Sequence, residues 1–321
     1  MNHLAPRVTR WALTAGLLLA AGIAAAAAPQ AKGQAPGWYR MMVGDIEVTA
    51  LSDGTVALPV DKLLTNTSPP AKIQAALSRA YLKAPVETSV NGYLVNTGSK
   101  LVLIDAGAAG LFGPTLGNLV NNLKASGYQP EQVDEIYLTH LHPDHVGGVA
   151  ADGRAAFPNA VLRVDKRDAD FWLSKDNLDK APEASKGFFQ GAQASVKPYA
   201  DAGKLKTFDG AGELVPGIKA VSTYGHTPGH TVYAIESKGQ KMMVWGDLMH
   251  VAAVQFPEPA VTIQFDADSK KAAPQRQKAY ADAAKNGHYV AVAHVAFPGI
   301  GQVRDDGKGY RWVPVNYSSN K

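Results

Sequence analysis

Short apolar runs alternate with amphipathic stretches along most of the chain. The apolar runs predict buried strands at residues 46–51, 93–96, 101–105 and 135–138, and then at 161–164, 219–223, 232–235, 242–245 and 289–293. Apolar residues at helical spacing predict helices over residues 71–82, 116–125, 167–173 and 269–285. Strands that alternate with helices indicate an α/β fold, in which helices cover the outer faces of the sheets.

Two segments depart from this alternation. Residues 58–83 are expected to form an added arm outside the sheet core, and the tail after Gly299 is expected to pack along a sheet edge through residues 312–315. No linker rich in Pro, Gly or Ser separates the alternating blocks. We therefore expect a single domain over residues 29–321.

The first 28 residues have a different character. Arg7 and Arg10 precede an apolar run from Trp11 to Ile23, and small residues at 24–28 offer a cleavage site. This pattern predicts a secretory signal peptide over residues 1–28, and hence a periplasmic or secreted protein. The alternative is a membrane anchor, which needs about 20 strongly apolar residues and finds a shorter run here.

Composition narrows the classes of function. The chain of 321 residues is 46% hydrophobic, which allows a substantial core, and it contains no Cys, which excludes disulfides and thiolate ligands. Its formal charge is +4, and loss of Arg7 and Arg10 with the signal peptide reduces this to +2. So small a charge, without a basic block interleaved with aromatic residues, argues against nucleic acid as a partner.

The strongest chemical signal is a cluster of His and Asp between a predicted strand and the pair Gly147-Gly148. Residues 140–145 read His-Leu-His-Pro-Asp-His, in a chain with only nine histidines. His140 and His142 can point to one side of the loop, while Asp144 and His145 can serve a second centre. Imidazole and carboxylate ligands suit zinc, and paired ions about 3.5–4 Å apart can activate water at neutral pH. The cluster therefore predicts a binuclear metal site rather than a solvated polar turn.

Further candidate ligands follow predicted strands in the second half of the chain. His226 begins the sequence His-Thr-Pro-Gly-His, Asp247 follows Gly246, and His294 follows Ala293. Each lies where a strand gives way to a loop, as the first cluster does. His288 lacks this context and is expected on the surface.

Together these motifs resemble the metallo-β-lactamase fold superfamily, over roughly residues 40–300. The resemblance implies an αββα sandwich of two mixed sheets flanked by helices, with two divalent metal ions, most simply Zn²⁺. It assigns His140, His142 and His226 to the first ion, Asp144, His145 and His294 to the second, and Asp247 to both. In the same pattern His230 is structural, and Asp105 at a strand end accepts a hydrogen bond from the ligand shell.

Four segments are similar to the methyl parathion hydrolase group and its lactonase relatives. They lie at residues 53–59, 107–115, 170–172 and 294–301. This resemblance implies an aromatic substrate pocket formed by Phe112, Trp172 and Phe188, although each could instead be an ordinary core residue. Aromatic walls suit an apolar ester or lactone. A homodimer is implied by the resemblance alone.

The predicted function is a secreted binuclear metallohydrolase that opens lactones or aryl esters, with phosphotriester hydrolysis as a secondary or specialised activity. Asp144, Asp247 and His250 are the candidate catalytic residues. Acyl-homoserine lactonases that resemble this chain carry a Tyr at the position of His250, so His250 is predicted to lie at the rim of the site and to donate a hydrogen bond to a lactone. Ile263 is a weaker candidate for the same wall. The alternatives are a dedicated organophosphate hydrolase and a non-catalytic metal-dependent binding protein.

Overall fold

The computed structural model describes Met1, residues 28–66 and residues 70–319. Residues 2–27, which hold nearly all of the predicted signal peptide, lie outside the described residues. Contacts divide the chain into two units, Met1–Ala35 and Pro36–Lys321, and all the described helices and strands belong to the second unit. Within the described ranges, none of the helices combines the length and the apolarity needed to cross a membrane.

Seven strands form the first sheet, in an order that follows the chain. They are β1 (Trp38–Val43), β2 (Ile46–Leu58), β3 (Val86–Asn96), β4 (Leu101–Ile104), β5 (Glu135–Tyr137), β6 (Val161–Asp165) and β7 (Leu205–Phe208). Strands β1 to β4 pair antiparallel, and β4 to β7 pair parallel. The first sheet is therefore mixed.

Seven more strands form the second sheet, again in chain order. They are β8 (Gly212–Val215), β9 (Ile218–Ser222), β10 (Thr231–Ser237), β11 (Gln240–Val244), β12 (Tyr289–Ala291), β13 (Ile300–Asp305) and β14 (Tyr310–Pro314). Only β11 and β12 pair parallel; the other neighbours are antiparallel. Two short two-stranded pairs join Leu64–Thr65 to Thr262–Ile263 and Ala150–Ala151 to Arg154–Ala155.

Nine α-helices occur in the described part of the chain. They are α1 (Val60–Leu63), α2 (Pro70–Arg79), α3 (Leu119–Ala125), α4 (Pro143–Val146), α5 (Lys166–Trp172), α6 (Lys175–Lys180), α7 (Glu183–Asp201), α8 (Ala252–Gln255) and α9 (Ser269–Asn286). Short 3₁₀ turns lie at Pro130–Gln132, Gly147–Val149 and Gly246–Leu248.

Three apolar clusters define the layers. One lies between the sheets and includes Tyr93 and Tyr137 of the first sheet and Tyr233 of the second. Another packs the outer face of the first sheet against α3, α5 and α7, and a third packs the second sheet against α9 through residues such as Tyr280. Helix, sheet, sheet and helix layers follow one another, which confirms the predicted αββα sandwich.

Most predicted elements are present, with different ends. The arm at 58–83 contains α1 and α2, which pack in an apolar cluster with residues 251–263, and the tail forms the edge strand β14. Strand β1 was not among the predicted elements, although its buried Tyr39, Met41 and Val43 alternate as a half-buried strand requires. The expectation for His288 was wrong, since only 8% of that residue is exposed.

Helix α7 is the largest element that the sequence pattern did not predict. It contains Gly187, Gly191 and Pro198, residues that disfavour a helix interior. Its buried Phe189 and Val196 pack against the first sheet, so tertiary burial outweighs the local preference. Gly191 packs closely against Pro143 beside the His-rich loop, since a Cβ there would lie 3.3 Å from the Pro143 ring.

Candidate metal centre and active site

The predicted ligands lie at one end of the strands. Residues 140–145 follow β5, whereas His226, Asp247 and His294 follow β9, β11 and β12. Because β9, β11 and β12 run in the same direction, their carboxyl ends meet at one edge of the second sheet. Loops from the two sheets thus bring together residues that are far apart in the chain.

The loop after β5 is held by close backbone packing. The N–H of Ala106 donates to the carbonyl of His145 at 2.8 Å, and the N–H of Gly148 donates to the carbonyl of Gly107 at 2.9 Å. A Cβ on Gly148 would overlap the carbonyl oxygen of Ala106. Gly147 and Gly148 do not have positive φ, so they are required for this close approach rather than for a special turn.

Four histidines of the site share one arrangement, in which Nδ1 is held and Nε2 points into a common centre. The Nδ1 partners are Thr139 Oγ1 for His140 (3.0 Å), Asp105 Oδ2 for His145 (2.8 Å), Asp266 Oδ1 for His226 (2.8 Å) and the Ser89 carbonyl for His294 (2.9 Å). His142 instead presents Nδ1, which lies 3.1 Å from Nε2 of His226. Such outer hydrogen bonds fix the tautomer and ring orientation of metal-binding imidazoles.

Asp247 lies between two groups of these side chains. Its Oδ1 is 3.1 Å from Nε2 of both His145 and His294. Its Oδ2 is 3.3 Å from Nε2 of His226 and 3.7 Å from Nε2 of His140. Two ligand atoms that each lie about 2.0 Å from a tetrahedral zinc ion are separated by roughly 3.3 Å. Each oxygen of Asp247 therefore lies about as far from the histidine Nε2 atoms of one group as two ligands of the same metal ion lie from each other. This is what a carboxylate that bridges two ions requires.

Buried atoms without partners indicate that this centre suits cations. Nε2 of His140, Nε2 of His145 and Oδ1 of Asp247 are all buried, and none has a hydrogen-bond partner in the described part of the chain. Unsatisfied buried polar atoms are costly unless something else binds them. Ligand atoms within 4.8 Å of one another occur in the groups His140, His142, His226 and Asp247, and Asp144, His145 and His294. The His and Asp groups fit a binuclear metal site.

His230 and His250 lie beside these groups with different roles. The N–H of Asp247 donates to Nε2 of His230 at 3.1 Å, and Nδ1 of His230 contacts Thr223 Oγ1 at 2.8 Å, so both ring nitrogens are used internally. His250 is only 3% exposed, and its Nε2 lies 3.0 Å from Oδ2 of Asp247. The predicted rim position is therefore wrong: His250 lies inside the centre, where it could also contact a metal ion together with Asp247 and His294.

The electrostatics of the metal-free centre differ from one histidine to another. Burial lowers the pKa of His140 and of His142 well below the usual value, so both are neutral and can bind a cation. Burial also acts on His226, but the carboxylates of Asp247 and Asp266 outweigh it and raise the pKa to about 9. Because a ligand imidazole must be neutral, cation binding at His226 releases a proton.

Asp168 is a buried carboxylate that the sequence analysis missed. It lies in α5 and accepts hydrogen bonds from the N–H groups of Leu141 at 2.8 Å and Gly229 at 2.7 Å. It thereby joins the loop of His140 to the loop that follows His226. Burial outweighs these hydrogen bonds and raises the pKa of Asp168 to about 6.

This raised pKa predicts a pH-dependent stability in the metal-free protein. Since the folded-state pKa exceeds the unfolded value of about 3.9, the stabilisation by the Asp168 proton is complete below pH ~4 and is lost as the pH rises through ~6. Asn does not titrate. The free energy of unfolding of the wild type, relative to that of Asp168→Asn, should therefore fall by roughly 3 kcal/mol between pH 4 and pH 7. Urea denaturation of both proteins measures it, and a difference independent of pH would contradict the prediction.

A cavity of about 580 Å³ opens beside the centre and reaches the imidazole of His142. Trp172 and Phe188 line it as predicted, and their rings lie 5.1 and 5.2 Å from that of His142. Phe265 also lines the cavity, 6.4 Å from the ring of Phe188, and the sequence analysis missed it. Polar groups, among them Asn177, line the same cavity.

Three predicted pocket residues, Phe112, His250 and Ile263, do not line this cavity. Phe112 is 38% exposed, and its ring centroid lies 6.1 Å from that of Phe188, so it packs next to that ring outside the cavity lining. Ile263 is 1% exposed and belongs to the apolar cluster that holds the arm. Its N–H donates to Asp266 at 3.2 Å, so Ile263 can influence the centre through its backbone.

Trp172 has a core role in addition to its place in the cavity. It is 6% exposed, and its ring lies 4.6 Å from that of Phe189. Trp172→Ala should therefore lower the free energy of unfolding by about 3–5 kcal/mol. Phe188→Ala changes a half-buried position and should lower it less. Its main effect should be to weaken binding of aromatic substrates in the transition state by about 1–3 kcal/mol. Thermal melts and kcat/KM for an aromatic and an aliphatic substrate measure both effects. Equal losses on both substrates in Phe188→Ala would remove Phe188 from the pocket.

The fold and the site define a binuclear metal protein of αββα architecture. Residues 85–294 match the metallo-beta-lactamase superfamily, and the chain belongs to that superfamily. It is similar over 89% of its length to the whole of hydrolase AbOPH in the beta lactamase superfamily, with 42% identity and a TM-score of 0.85.

Two lactonases are more distant relatives. AidC, a dizinc quorum-quenching lactonase with a solved structure in complex with the product N-hexanoyl-L-homoserine, shares 28% identity, with 88% of this chain and 99% of AidC covered, and a TM-score of 0.80. N-acyl homoserine lactonase AiiA of Bacillus thuringiensis subsp. kurstaki shares 28% identity over 165 residues, which is 46% of this chain. The match spans only 58% of the AiiA sequence.

Proposed function

We propose that this protein is a binuclear metallohydrolase that opens lactones and aryl esters, with phosphotriester hydrolysis as a secondary or specialised activity. The observation that carries the proposal is Asp247, whose two oxygens face two separate histidine groups next to an aromatic-lined cavity. The lactonase relatives AidC and AiiA support the substrate class. A structural metal site would have no use for such a cavity.

We propose Zn²⁺ as the ion in both positions, supported by a donor set of imidazole and carboxylate and by the dizinc relative AidC. His140, His142 and His226 would hold one ion and Asp144, His145 and His294 the other, and the bound pair would supply Lewis acidity and lower the pKa of water near pH 7. Export through residues 1–28 rests on the sequence pattern alone, and homodimerisation rests on the resemblance alone. N-terminal sequencing of exported protein and light scattering test these two points.

The chain's own residues have separate tasks in this proposal. Asp144 is 18% exposed at its side chain and lies 3.4 Å from Nε2 of His294, so it can pass a proton between the centre and solvent. Trp172 and Phe188 orient an apolar substrate and exclude water. His250 offers the N–H of a neutral imidazole to a lactone oxygen, because burial lowers its pKa.

A side-by-side assay tests the function. One zinc-loaded preparation is given an aromatic lactone, an acyl-homoserine lactone and methyl parathion, and kcat/KM is compared. We expect turnover of lactones above methyl parathion, loss of turnover with a chelator and recovery with Zn²⁺. The reverse ranking would favour a dedicated organophosphate hydrolase, and tight metal binding with no turnover would favour a binding protein.

Substitution of His250 separates the two substrate classes. His250→Ile removes a donor that a lactone carbonyl can use and a bulky phosphotriester cannot, which should cost lactone turnover about 2–4 kcal/mol in the transition state while sparing methyl parathion. His250→Gln, which keeps an N–H, is the matched control. Metal content is measured in parallel, because His250 lies 3.0 Å from Asp247. Unchanged lactone efficiency would remove His250 from the mechanism, and loss of metal would make it a ligand.

A further inference from the structure

We infer that Arg276 and Asp266 form a positioning pair, which sets the orientation of His226 and thereby the affinity of the ion held by His140, His142 and His226. The inference rests on the metal assignment proposed above. It concerns two residues that the sequence motifs do not contain, one on helix α9 and one in the segment before that helix.

Arg276 is fully buried and binds three backbone carbonyls. Its Nε donates to the carbonyl of Leu248, and its Nη1 donates to the carbonyls of Val261 and of Pro259, the latter at 3.2 Å. Its Nη2 lies 3.8 Å from Oδ2 of Asp266. A buried guanidinium must have its donors matched, and here the buried carboxylate of Asp266 provides an opposite charge.

Asp266 connects this guanidinium to the metal centre. Its Oδ1 lies 2.8 Å from Nδ1 of His226, and its Oδ2 accepts the N–H of Ile263 at 3.2 Å on the side that faces Arg276. The next residue, Ala267, donates its N–H to the carbonyl of His226 at 2.8 Å. Asp266 is thus fixed on both oxygens, and His226 is held by both its ring and its backbone.

The guanidinium of Arg276 also binds the backbone next to Asp247, the carboxylate shared by the two groups of ligands. Leu248, which accepts from Nε of Arg276, directly follows Asp247 in the chain. One side chain therefore anchors the turn of Asp247 and the carboxylate that orients His226. Lys cannot replace it, because a single ammonium lacks the planar fork that reaches the carbonyls and the carboxylate together.

This geometry has a consequence for metal binding. With Asp266 accepting from Nδ1–H, the neutral His226 ring that binds a cation carries its proton on Nδ1 and presents a free Nε2. Without a charged acceptor the ring can rotate or take the other tautomer. Changes to such outer partners typically lower metal affinity by roughly 10- to 100-fold. We expect the effect at the ion held by His226 and not at the ion held by Asp144, His145 and His294.

The test measures metal affinity, not turnover. Zinc affinities of the full chain are measured by competition with a chromogenic chelator for the wild type, Asp266→Asn and Arg276→Lys. We expect one of two affinities to fall by roughly 10- to 100-fold in Asp266→Asn and the other to stay within about threefold, whereas Arg276→Lys, which also releases the turn of Asp247, should lower both. Repeating the titration in a His294→Ala background, where the second group is incomplete, shows which ion is affected. In the zinc-loaded protein, the ¹⁵N spectrum of His226 should show only the Nδ1–H tautomer for the wild type and a mixture of tautomers for Asp266→Asn.

Glu135→Gln is the matched control. Glu135 is also a buried carboxylate next to an arginine, Arg163, but it lies at the start of β5, at the opposite end of that strand from the metal loop. This variant should lose stability without losing zinc affinity. If Asp266→Asn and Arg276→Lys also lower only the melting temperature, the pair is merely structural and the inference is overturned. An equal fall of both affinities in Asp266→Asn would overturn the assignment to His226. If the protein hydrolysed none of the proposed substrates, these zinc affinities would not change. The positioning pair and the proposed hydrolase function can therefore be contradicted independently.

Discussion

Asp247→Asn should lose most of the bound metal and nearly all turnover. We expect close to two divalent ions per chain in the wild type and fewer than one in the variant, because each oxygen of Asp247 has ligand spacing to a different histidine group. Asn keeps the shape but offers one neutral oxygen. Since a metal ion contributes several kcal/mol to transition-state stabilisation, kcat/KM should fall on the order of 10³-fold or more.

Metal analysis by mass spectrometry and kinetics on one lactone check this result together. Circular dichroism should show that Asp247→Asn remains folded, because the N–H of Asp247 still donates to His230. A wild-type preparation that is fully active with a single ion per chain would contradict the bridging role of Asp247. An Asp247→Asn variant that keeps two ions per chain would contradict it as well.

Gly148→Val should destabilise the protein by about 4 kcal/mol and empty the metal centre. A Cβ at Gly148 would overlap the carbonyl of Ala106, in the backbone next to Asp105, and neither backbone can move without displacing His145. Overpacking against backbone is among the few causes of losses this large. Urea denaturation and zinc stoichiometry measure the two effects.

Gly212→Val is the control for this substitution. Gly212 lies on the exposed edge strand β8, has ordinary φ, and has open space where a Cβ would stand. A β-branched residue should be tolerated there. If Gly148→Val is as stable as this control, the close approach of the two loops is not what requires glycine.

The metal centre could be predicted because its residues follow strands directly. Each of His140, Asp247 and His294 comes within a few residues of an apolar run, and loops at the ends of parallel strands lie on a common edge. The αββα sandwich follows from the same alternation. The local sequence patterns are thus enough to predict both the fold class and the candidate ligands.

The residues that orient the centre could not be predicted in this way. Asp168 binds the N–H groups of Leu141 and Gly229, which are 27 and 61 residues away in the chain. Arg276 binds carbonyls on other segments in the same manner. Any residue can offer a backbone N–H or carbonyl, so these contacts produce no recognisable pattern of residue types. From the sequence alone, a buried Asp or Arg in a helix cannot be distinguished from a solvent-exposed one.

The pocket shows the same limit. Burial of Trp172 in the core and of Ile263 in the cluster of the arm depends on how α7 and the arm pack, and the sequence pattern of α7 is obscured by Gly187, Gly191 and Pro198. His250 lies inside the centre because its N–H and that of Val251 both donate to Oε1 of Gln255, which turns the chain back towards Asp247.

The strands of each sheet follow one another along the chain, so each half of the molecule can assemble largely from its own segment. The metal centre cannot, because its predicted ligands come from both halves. Half-assembled chains offer only a partial ligand set, and a cation binds the finished structure far more tightly than any earlier state. An ion present at 100 times its Kd adds about 2.7 kcal/mol to the stability of the native state. Supply of the metal ion would therefore govern the stability of the folded molecule as well as its activity, and a chain that lacks the ion would be more easily unfolded and cleaved by proteases.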